Sequence, residues 1–167
     1  MHVVLRGAAG KKLYVRIPFW CRNFVSDKEY ENINGYAMYI VDTDEFELVI
    51  DMQMNVSLYC ANPAVRADAG KVAVMYGPIL YCAENIDNDF NLFDVIIQKN
   101  SEFFCRYDDL FKAHVIEVEV LISEKMSSLY FSPDELNKKR CTLKLIPYHA
   151  FANRGQSDMR VWFRYEI

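Results

Sequence analysis

The sequence of 167 residues contains few histidines, glycines and prolines, and it lacks the short motifs by which many metal, phosphate and catalytic sites are recognised. It contains only three histidines, six glycines and five prolines. No two histidines or cysteines stand at the spacing of metal ligands within one element, and the chain has neither a glycine-rich phosphate loop nor a nucleophile elbow. The sequence therefore predicts no metal and no cofactor. An active site would have to be assembled from residues that lie far apart in the chain.

Long apolar runs and an excess of positive charge are also missing. Nineteen Lys and Arg residues stand against 23 Asp and Glu residues, which gives a formal net charge of −4. This balance predicts neither nucleic acid nor an anionic membrane as a partner. Polar and basic residues such as Arg6 and Lys11 follow Met1 closely, and no apolar stretch approaches ~18 residues. We therefore expect a soluble, cytoplasmic protein.

Cysteines are few, odd in number and widely spaced, and no Cys-x-x-Cys pair occurs. We expect all five to be buried thiols, because an unpaired cysteine behaves as a small apolar residue. They are Cys21, Cys60, Cys82, Cys105 and Cys141.

Apolar residues are abundant at 52% of the chain, and they alternate with polar ones almost everywhere. Leu13, Val15 and Ile17 share one face of a predicted strand, and longer alternating stretches, each predicted to be a strand, cover residues 45–54, 116–122 and 159–165. Residues 45–60 predict a long strand that is bulged or broken near Asn55. Some eleven short strands and almost no helix predict an all-β fold of antiparallel sheets.

A polar, turn-prone run at residues 84–89 is the strongest candidate for a boundary between domains. On this basis we predict two small antiparallel β-sandwich units, each jelly-roll-like. The first covers residues 1–86 and the second covers residues 87–167.

The densest group of chemistry-bearing side chains lies at residues 147–155. Its aromatic rings could stack on a sugar, whereas its polar end predicts fixed contacts, either inside the protein or with a sugar or partner. The candidates for carbohydrate binding are Trp20, Tyr148, Phe151 and Trp162. The candidates for a structural motif, interpreted as a tether at the domain interface, are Asn153, Arg154 and Gly155. The acidic residues fall mainly on outward strand faces or in loops, so we assign no catalytic residue.

Four segments resemble glycoside hydrolase family 127, the β-L-arabinofuranosidase family. They are residues 13–21 (LYVRIPFWC), 70–82 (GKVAVMYGPILYC, with Glu84 and Asp87-Asn88 behind it), 147–155 (PYHAFANRG) and 159–162 (MRVW). The resemblance implies a family in which a helical barrel carries an acid/base glutamate and a zinc-bound cysteine nucleophile, followed by two β-sandwich domains. This chain resembles only the sandwiches. Cys21 and Cys82 match sandwich positions, so no catalytic or zinc-binding role is carried over to them.

The resemblance also implies that the first sandwich is truncated at its N-terminus. A truncated sandwich has an unpaired edge, so we expect a homodimer or association with a barrel-bearing catalytic chain. Three functions stay open. The first is a non-catalytic accessory portion of a family 127-type hydrolase that acts on arabinose-containing glycans. The second is a stand-alone carbohydrate-binding module, which would need its aromatics exposed on one face, and the third is an independent enzyme.

Overall fold

The computed structural model describes residues 1–124 and 127–166. This part of the chain contains fifteen β-strands and five short 3₁₀-helices, and no α-helix. None of its helices has the length and apolar character needed to cross a membrane. The all-β prediction is confirmed. The chain divides into two compact units, Met1–Asn55 and Val56–Ile167.

The first unit consists of two three-stranded antiparallel sheets. Its strands are β1 (His2–Arg6), β2 (Lys12–Arg16), β3 (Phe24–Ser26), β4 (Glu31–Ile33), β5 (Tyr36–Ile40) and β6 (Glu45–Met52). One sheet has the order β1-β6-β3 and the other has the order β2-β5-β4. Both contribute to a single core, in which Tyr39 of β5 lies with Phe46, Leu48 and Ile50 of β6. The predicted alternation along β6 is confirmed, since its glutamates face solvent.

The hairpin between β4 and β5 is closed by Asn34 and Gly35, a turn that the alternation of apolar residues alone does not predict. Both residues have positive φ, 52° and 81° respectively, and Ile33 pairs directly with Tyr36. A two-residue loop with positive φ at both positions matches the right-handed twist of the flanking strands, and Asn-Gly favours it.

The second unit is built around six strands that pair in a closed ring. Its strands are β7 (Val56–Cys60), β8 (Lys71–Tyr76), β9 (Ile79–Glu84), β10 (Val95–Gln98), β11 (Phe103–Asp108), β12 (Ala113–Ser123), β13 (Lys138–Pro147), β14 (Met159–Arg160) and β15 (Phe163–Glu166). The ring runs β9-β13-β12-β10-β15-β8 and returns to β9. All its pairs are antiparallel except β10–β15, which is parallel. The remaining strands, β7, β11 and β14, pair with β8, β12 and β9.

Two apolar clusters stabilise this unit. The larger one contains buried residues from β8, β9, β10, β12, β13 and β15, including Val118, Leu145 and Phe163. The smaller one is formed by Cys82, Val115 and Ile146, and the segment after β13 packs against it. This second cluster exists because β12 and β13 are buried on both faces at one end. The 3₁₀-helices are Arg66–Asp68, Asn85–Asp87, Leu92–Asp94, Pro133–Glu135 and Tyr148–Ala150.

The structure places the division between units at Asn55 and Val56, not near residue 87. Strands β8 and β9 precede residue 87, yet they pair with β13, β14 and β15, which follow it. The polar run that suggested a linker is held inside this unit, because Glu84 and Asn88 are buried. The predicted break near Asn55 is confirmed as the gap between β6 and β7.

Two further expectations need correction. Cys60 and Cys105 are exposed and Cys141 is half-buried, so only Cys21 and Cys82 are buried thiols. Cys60 and Cys105 lie on β7 and β11, strands outside the ring, and this position leaves their side chains uncovered. The predicted single strand at residues 159–165 is two strands, β14 and β15. The backbone turns between them, where Arg160 Nε donates to the Trp162 carbonyl at 2.8 Å.

Candidate functional site

The candidate site lies where the end of β9 meets the segment that follows β13. Strand β9 ends at Glu84, and the chain turns at once into the 3₁₀-helix Asn85–Asp87. The 3₁₀-helix Tyr148–Ala150 then carries the chain from β13 towards this turn. The Ala152 amide donates to Glu84 Oε1 at 3.1 Å. Acidic side chains from one segment and basic ones from the other therefore meet although they are far apart in sequence.

Arg154 binds two carboxylates at once. Its Nη2 donates to Glu84 Oε2 at 2.7 Å, and its Nη1 donates to Asp87 Oδ1 at 2.8 Å. Nη2 also bonds to Asp87 Oδ2, which makes the Arg154–Asp87 pair bidentate. The Glu84 side chain is 1% exposed, so its charge has almost no contact with solvent. Burial of a carboxylate is strongly unfavourable unless a cation and hydrogen-bond donors compensate it, and here Arg154 and the Ala152 amide do so.

Lys144 of β13 extends this cluster on the other side of Asp87. Its Nζ lies 3.3 Å from Asp87 Oδ1 and 3.7 Å from Asp108 Oδ2. Arg106 then links Asp108 to Glu117, with Nη2 donating to Glu117 Oε1 at 2.8 Å. The charges thus alternate along a chain that begins at a fully buried carboxylate and ends at the surface. We call this chain the ion network; its members are Glu84, Arg154, Asp87, Lys144, Asp108, Arg106 and Glu117.

An aromatic ring lies against both inner cations of the ion network. The Arg154 guanidinium carbon is 4.7 Å from the centre of the Phe111 ring, and Lys144 Nζ is 5.3 Å from the same centre. A cation over an aromatic face is attracted by the ring quadrupole, and this attraction is stronger where water is excluded. Phe111 also packs on the smaller apolar cluster, so the network and that cluster are in contact.

Asn88 completes the polar framework beneath the ion network. Its Nδ2 donates to the carbonyls of Glu84 and Lys144, and its Oδ1 accepts from the Lys144 amide at 2.9 Å. The side-chain amide thereby acts as a short piece of strand beside β13. The bond to the Glu84 carbonyl is buried and the two bonds to Lys144 are partly buried, so Asn88 supplies partners to backbone groups with little access to water.

The electrostatics stabilise the charged forms of Asp87 and Arg154. Burial of Asp87 opposes its ionisation, but the hydrogen bond from Arg154 and the charge of Lys144 outweigh burial and lower the pKa of Asp87. The hydrogen bond to Asp87 is also the main cause that raises the pKa of Arg154, and the bond to Glu84 adds to it. Asp87 is therefore ionised and occupied by two cations. A carboxylate in this state is unsuited to donate a proton to a leaving group.

The structure brings only part of the predicted carbohydrate-binding set together. Tyr148 is 45% exposed and its ring stacks on Phe151, with centroids 6.2 Å apart and planes at 24°. Phe151 is half-buried because it packs on the smaller apolar cluster. Trp162 is half-buried in the turn between β14 and β15, and Trp20 is half-buried in the first unit.

The predicted structural motif lies in the second unit, and each of its residues has a definite role. Arg154 binds Glu84 and Asp87, which belong to the same unit, so the contacts seen here tether the segment to β9. Asn153 Nδ2 donates to the Ala150 carbonyl at 3.2 Å, which closes the turn after β13. Gly155 has a φ of +119°, a conformation that a side chain would strain.

Sequence reasoning missed the roles of Glu84, Asp87, Asn88 and Lys144. The available signal was a glutamate that continues an apolar strand and is followed within four residues by Asp87 and Asn88. A polar run of this kind predicts a turn equally well. Across residues 1–124 and 127–166, no group of three or more His, Cys, Asp or Glu side chains is arranged to hold a metal ion.

Comparison with known proteins identifies the second unit. The family model described as "Glycoside hydrolase family 127 C-terminal domain" matches residues 56–164, which begin at the first residue of that unit. The chain belongs to glycoside hydrolase family 127. The ion network therefore lies in the C-terminal domain of a family 127 protein.

Similarity to individual family 127 proteins extends over both units. A curated relative from Bifidobacterium longum subsp. longum, named non-reducing end β-L-arabinofuranosidase, is 32% identical over 90% of this chain and 25% of its own length. The solved family 127 β-L-arabinofuranosidase from Geobacillus stearothermophilus T6 is 29% identical, with a TM-score of 0.80 over 99% of this chain and 27% of that one. A second solved family 127 β-arabinofuranosidase has a TM-score of 0.77 at 27% identity, over 99% of this chain and 30% of its own. The chain thus spans about a quarter to a third of the length of these relatives.

The ion network predicts a large loss of stability when Arg154 is removed. Arg154→Met keeps an unbranched apolar side chain at this position but removes the guanidinium, so Glu84 stays buried without a cation. Breaking a buried ion pair in this way costs about 3–5 kcal/mol. Urea unfolding followed by circular dichroism measures the change. The control is Lys112→Met, which removes an exposed pair with Asp109 and should change stability by about 0–1 kcal/mol. Equal losses in the two variants would contradict the assigned role.

A second prediction concerns acid. Because folding lowers the pKa of Asp87, its pairing contributes stability that is fully present above pH 3.8, the unfolded value, and is lost as the pH falls through the folded-state pKa. Asp87→Asn removes this contribution, so the stability gap between wild type and variant should close as the pH falls below 3.8. Urea unfolding across the acid range measures it. The exposed control Asp109→Asn should show no gap that closes in this way, and a constant gap for Asp87→Asn would contradict the prediction.

Proposed function

We propose that this chain is a non-catalytic accessory portion of a family 127-type glycoside hydrolase, which supports assembly or substrate access in the breakdown of arabinose-containing glycans. The observation that carries the proposal is the fit of 99% of this chain onto 27% of the solved Geobacillus β-L-arabinofuranosidase. In this proposal the two units are small β-sandwiches that support a larger catalytic body.

The state of the carboxylates in the ion network supports a structural role. Hydrolysis of a glycosidic bond by a carboxylate pair needs one group that can donate a proton and a second that is free to act as a base or nucleophile. Asp87 is ionised and bound by Arg154 and Lys144, and Glu84 is bound by Arg154 and the Ala152 amide. Both carboxylates are thus occupied by protein donors.

The proposal predicts no hydrolysis by the purified chain. We expect no release of the aryl alcohol from an aryl β-L-arabinofuranoside above the spontaneous rate, because the carboxylates of the ion network are bound to cations. The full-length Bifidobacterium relative serves as the positive control. Release that rises with chain concentration and disappears in Glu84→Gln or Asp87→Asn would contradict the proposal and support an independent enzyme.

Self-association, or association with a barrel-bearing catalytic chain, is part of the same proposal. Leu129 and Tyr130 of the second unit are each 92% exposed, and adjacent apolar side chains at such exposure are typical of surfaces that another chain covers. Light scattering over a range of concentrations should give a mass approaching twice the 19.6 kDa of one chain. A mass that stays at 19.6 kDa throughout would contradict the homodimer.

A stand-alone carbohydrate-binding module is the second candidate, and one observation favours it. Tyr148 presents an exposed ring that is already stacked on Phe151, and a fixed aromatic face can cover the apolar side of a sugar at little entropic cost. In this alternative Tyr148 and Phe151 form the platform, and the ion network holds the segment that carries them.

A further inference from the structure

A groove of about 610 Å³ lies on the second unit, and none of the residues of the ion network lines it. Its walls are the turn that joins β10 to β11 and the outer faces of β11, β12 and β13. This volume falls within the range of about 300–1,000 Å³ that is usual for small-molecule sites. The groove is therefore large enough for a ligand of one or two sugar rings.

The turn that forms one wall is held in place by the protein itself. Ser101 Oγ accepts from the Gln98 amide at 3.1 Å and donates to the Glu119 carbonyl at 3.1 Å. The Lys99 amide donates to the Glu166 carbonyl at 2.9 Å. These bonds connect the turn to β12 and β15. Because this wall is already ordered, a ligand that binds in the groove would pay little conformational entropy to order it.

One aromatic ring and several polar groups face the groove. Phe104 is 63% exposed and contributes to the lining, so its ring offers an apolar surface to solvent. Arg140 Nη1 donates to Glu119 Oε1 at 2.5 Å, and both side chains are more than half exposed. The paired guanidinium keeps further N–H donors, and the paired carboxylate keeps further oxygen lone pairs that can accept hydrogen bonds. Gln98 and Asn100, which carry side-chain amides, also line the groove.

The charges in the groove indicate which class of ligand it can take. Two basic residues and three acidic ones line it: Lys99, Arg140, Glu102, Glu119 and Glu166. This mixture lacks the uniform positive field that binds phosphate or sulfate. The described residues also contain no cluster of three acidic or imidazole ligands for a cation. Paired charges, amides and one aromatic face are instead suited to a neutral molecule with many hydroxyl groups.

We propose that this groove binds a neutral saccharide of one or two rings. The apolar face of one sugar ring stacks on Phe104. Its hydroxyls bond to the Arg140–Glu119 pair and to the amides on the turn after β10. This site is distinct from the Tyr148–Phe151 platform. The choice of arabinose-containing probes rests on the proposed function, whereas the groove itself does not.

The test is a titration of the full chain with methyl β-L-arabinofuranoside and with arabinose, galactose and xylose oligomers, followed by calorimetry and by amide chemical shifts in NMR. We expect saturable binding that shifts the amides of residues 98–102. Phe104→Ala should weaken binding about tenfold and Glu119→Gln several-fold, since each removes one class of contact. Thermal unfolding of each variant checks that it is folded.

Tyr107→Ala is the matched control, because Tyr107 lies on the same strand, is 55% exposed and does not line the groove. Its affinity should equal that of the wild type. Unchanged affinity in both folded groove variants would overturn the proposal, and loss in Tyr148→Ala alone would move binding to the Tyr148–Phe151 platform. If none of the probes binds, the proposal of a saccharide site in the groove is overturned, whereas the proposed accessory role is unaffected. Binding of galactose or xylose oligomers but not of arabinose probes supports the groove and counts against the arabinose-specific role.

Discussion

The buried carboxylate of Glu84 is the constraint on which much of the second unit depends. A charge with 1% exposure at the end of a strand is tolerated only if a cation and N–H donors surround it. Arg154 supplies the cation and Ala152 supplies an amide, and both come from a segment about seventy residues further along the chain. The requirement of one side chain thereby fixes the path of the segment after β13.

That path has consequences for packing. The segment after β13 lies over the outer face of β12 and β13 and covers Val115, Ile146 and Cys82. Phe111 connects the two kinds of interaction, because its ring packs on this cluster and its face lies against Arg154 and Lys144. The polar and apolar parts of this layer are therefore interdependent. Loss of the Arg154 guanidinium would expose the smaller apolar cluster and would leave Glu84 and Asp87 without this cation.

Closure of the six-stranded ring has a different consequence for the strands that lie outside it. Within the ring each strand has a neighbour on both sides, so no ring strand has an edge that is unpaired along its whole length. Strand β11 lies outside the ring, beside β12, and its side chains are mostly exposed. The groove that includes Phe104 forms at this margin. The core does not require the side chains that line the groove, and binding residues are commonly found at such surface positions.

The sequence alone determined a good part of this protein. Alternation with a period of two identified most of the strands, because burial of one face of a sheet imposes that period directly on the chain. The motifs around residues 13–21, 70–82, 147–155 and 159–162 indicated the family, which the comparison confirmed for residues 56–164. Arg154 was singled out as the source of fixed polar contacts, although its partners were not identified.

Tertiary structure decided the rest. Residues 84–89 have the composition of a linker, and only the contacts with Arg154 and Lys144 turn them into the polar core of a domain. The boundary moved to Asn55 for the same reason, since strand pairing across residue 87 is long-range. Local pattern reports which face of a strand is buried. It does not indicate which distant residue neutralises a buried charge, because that depends on which later segment of the folded chain packs against the charged residue.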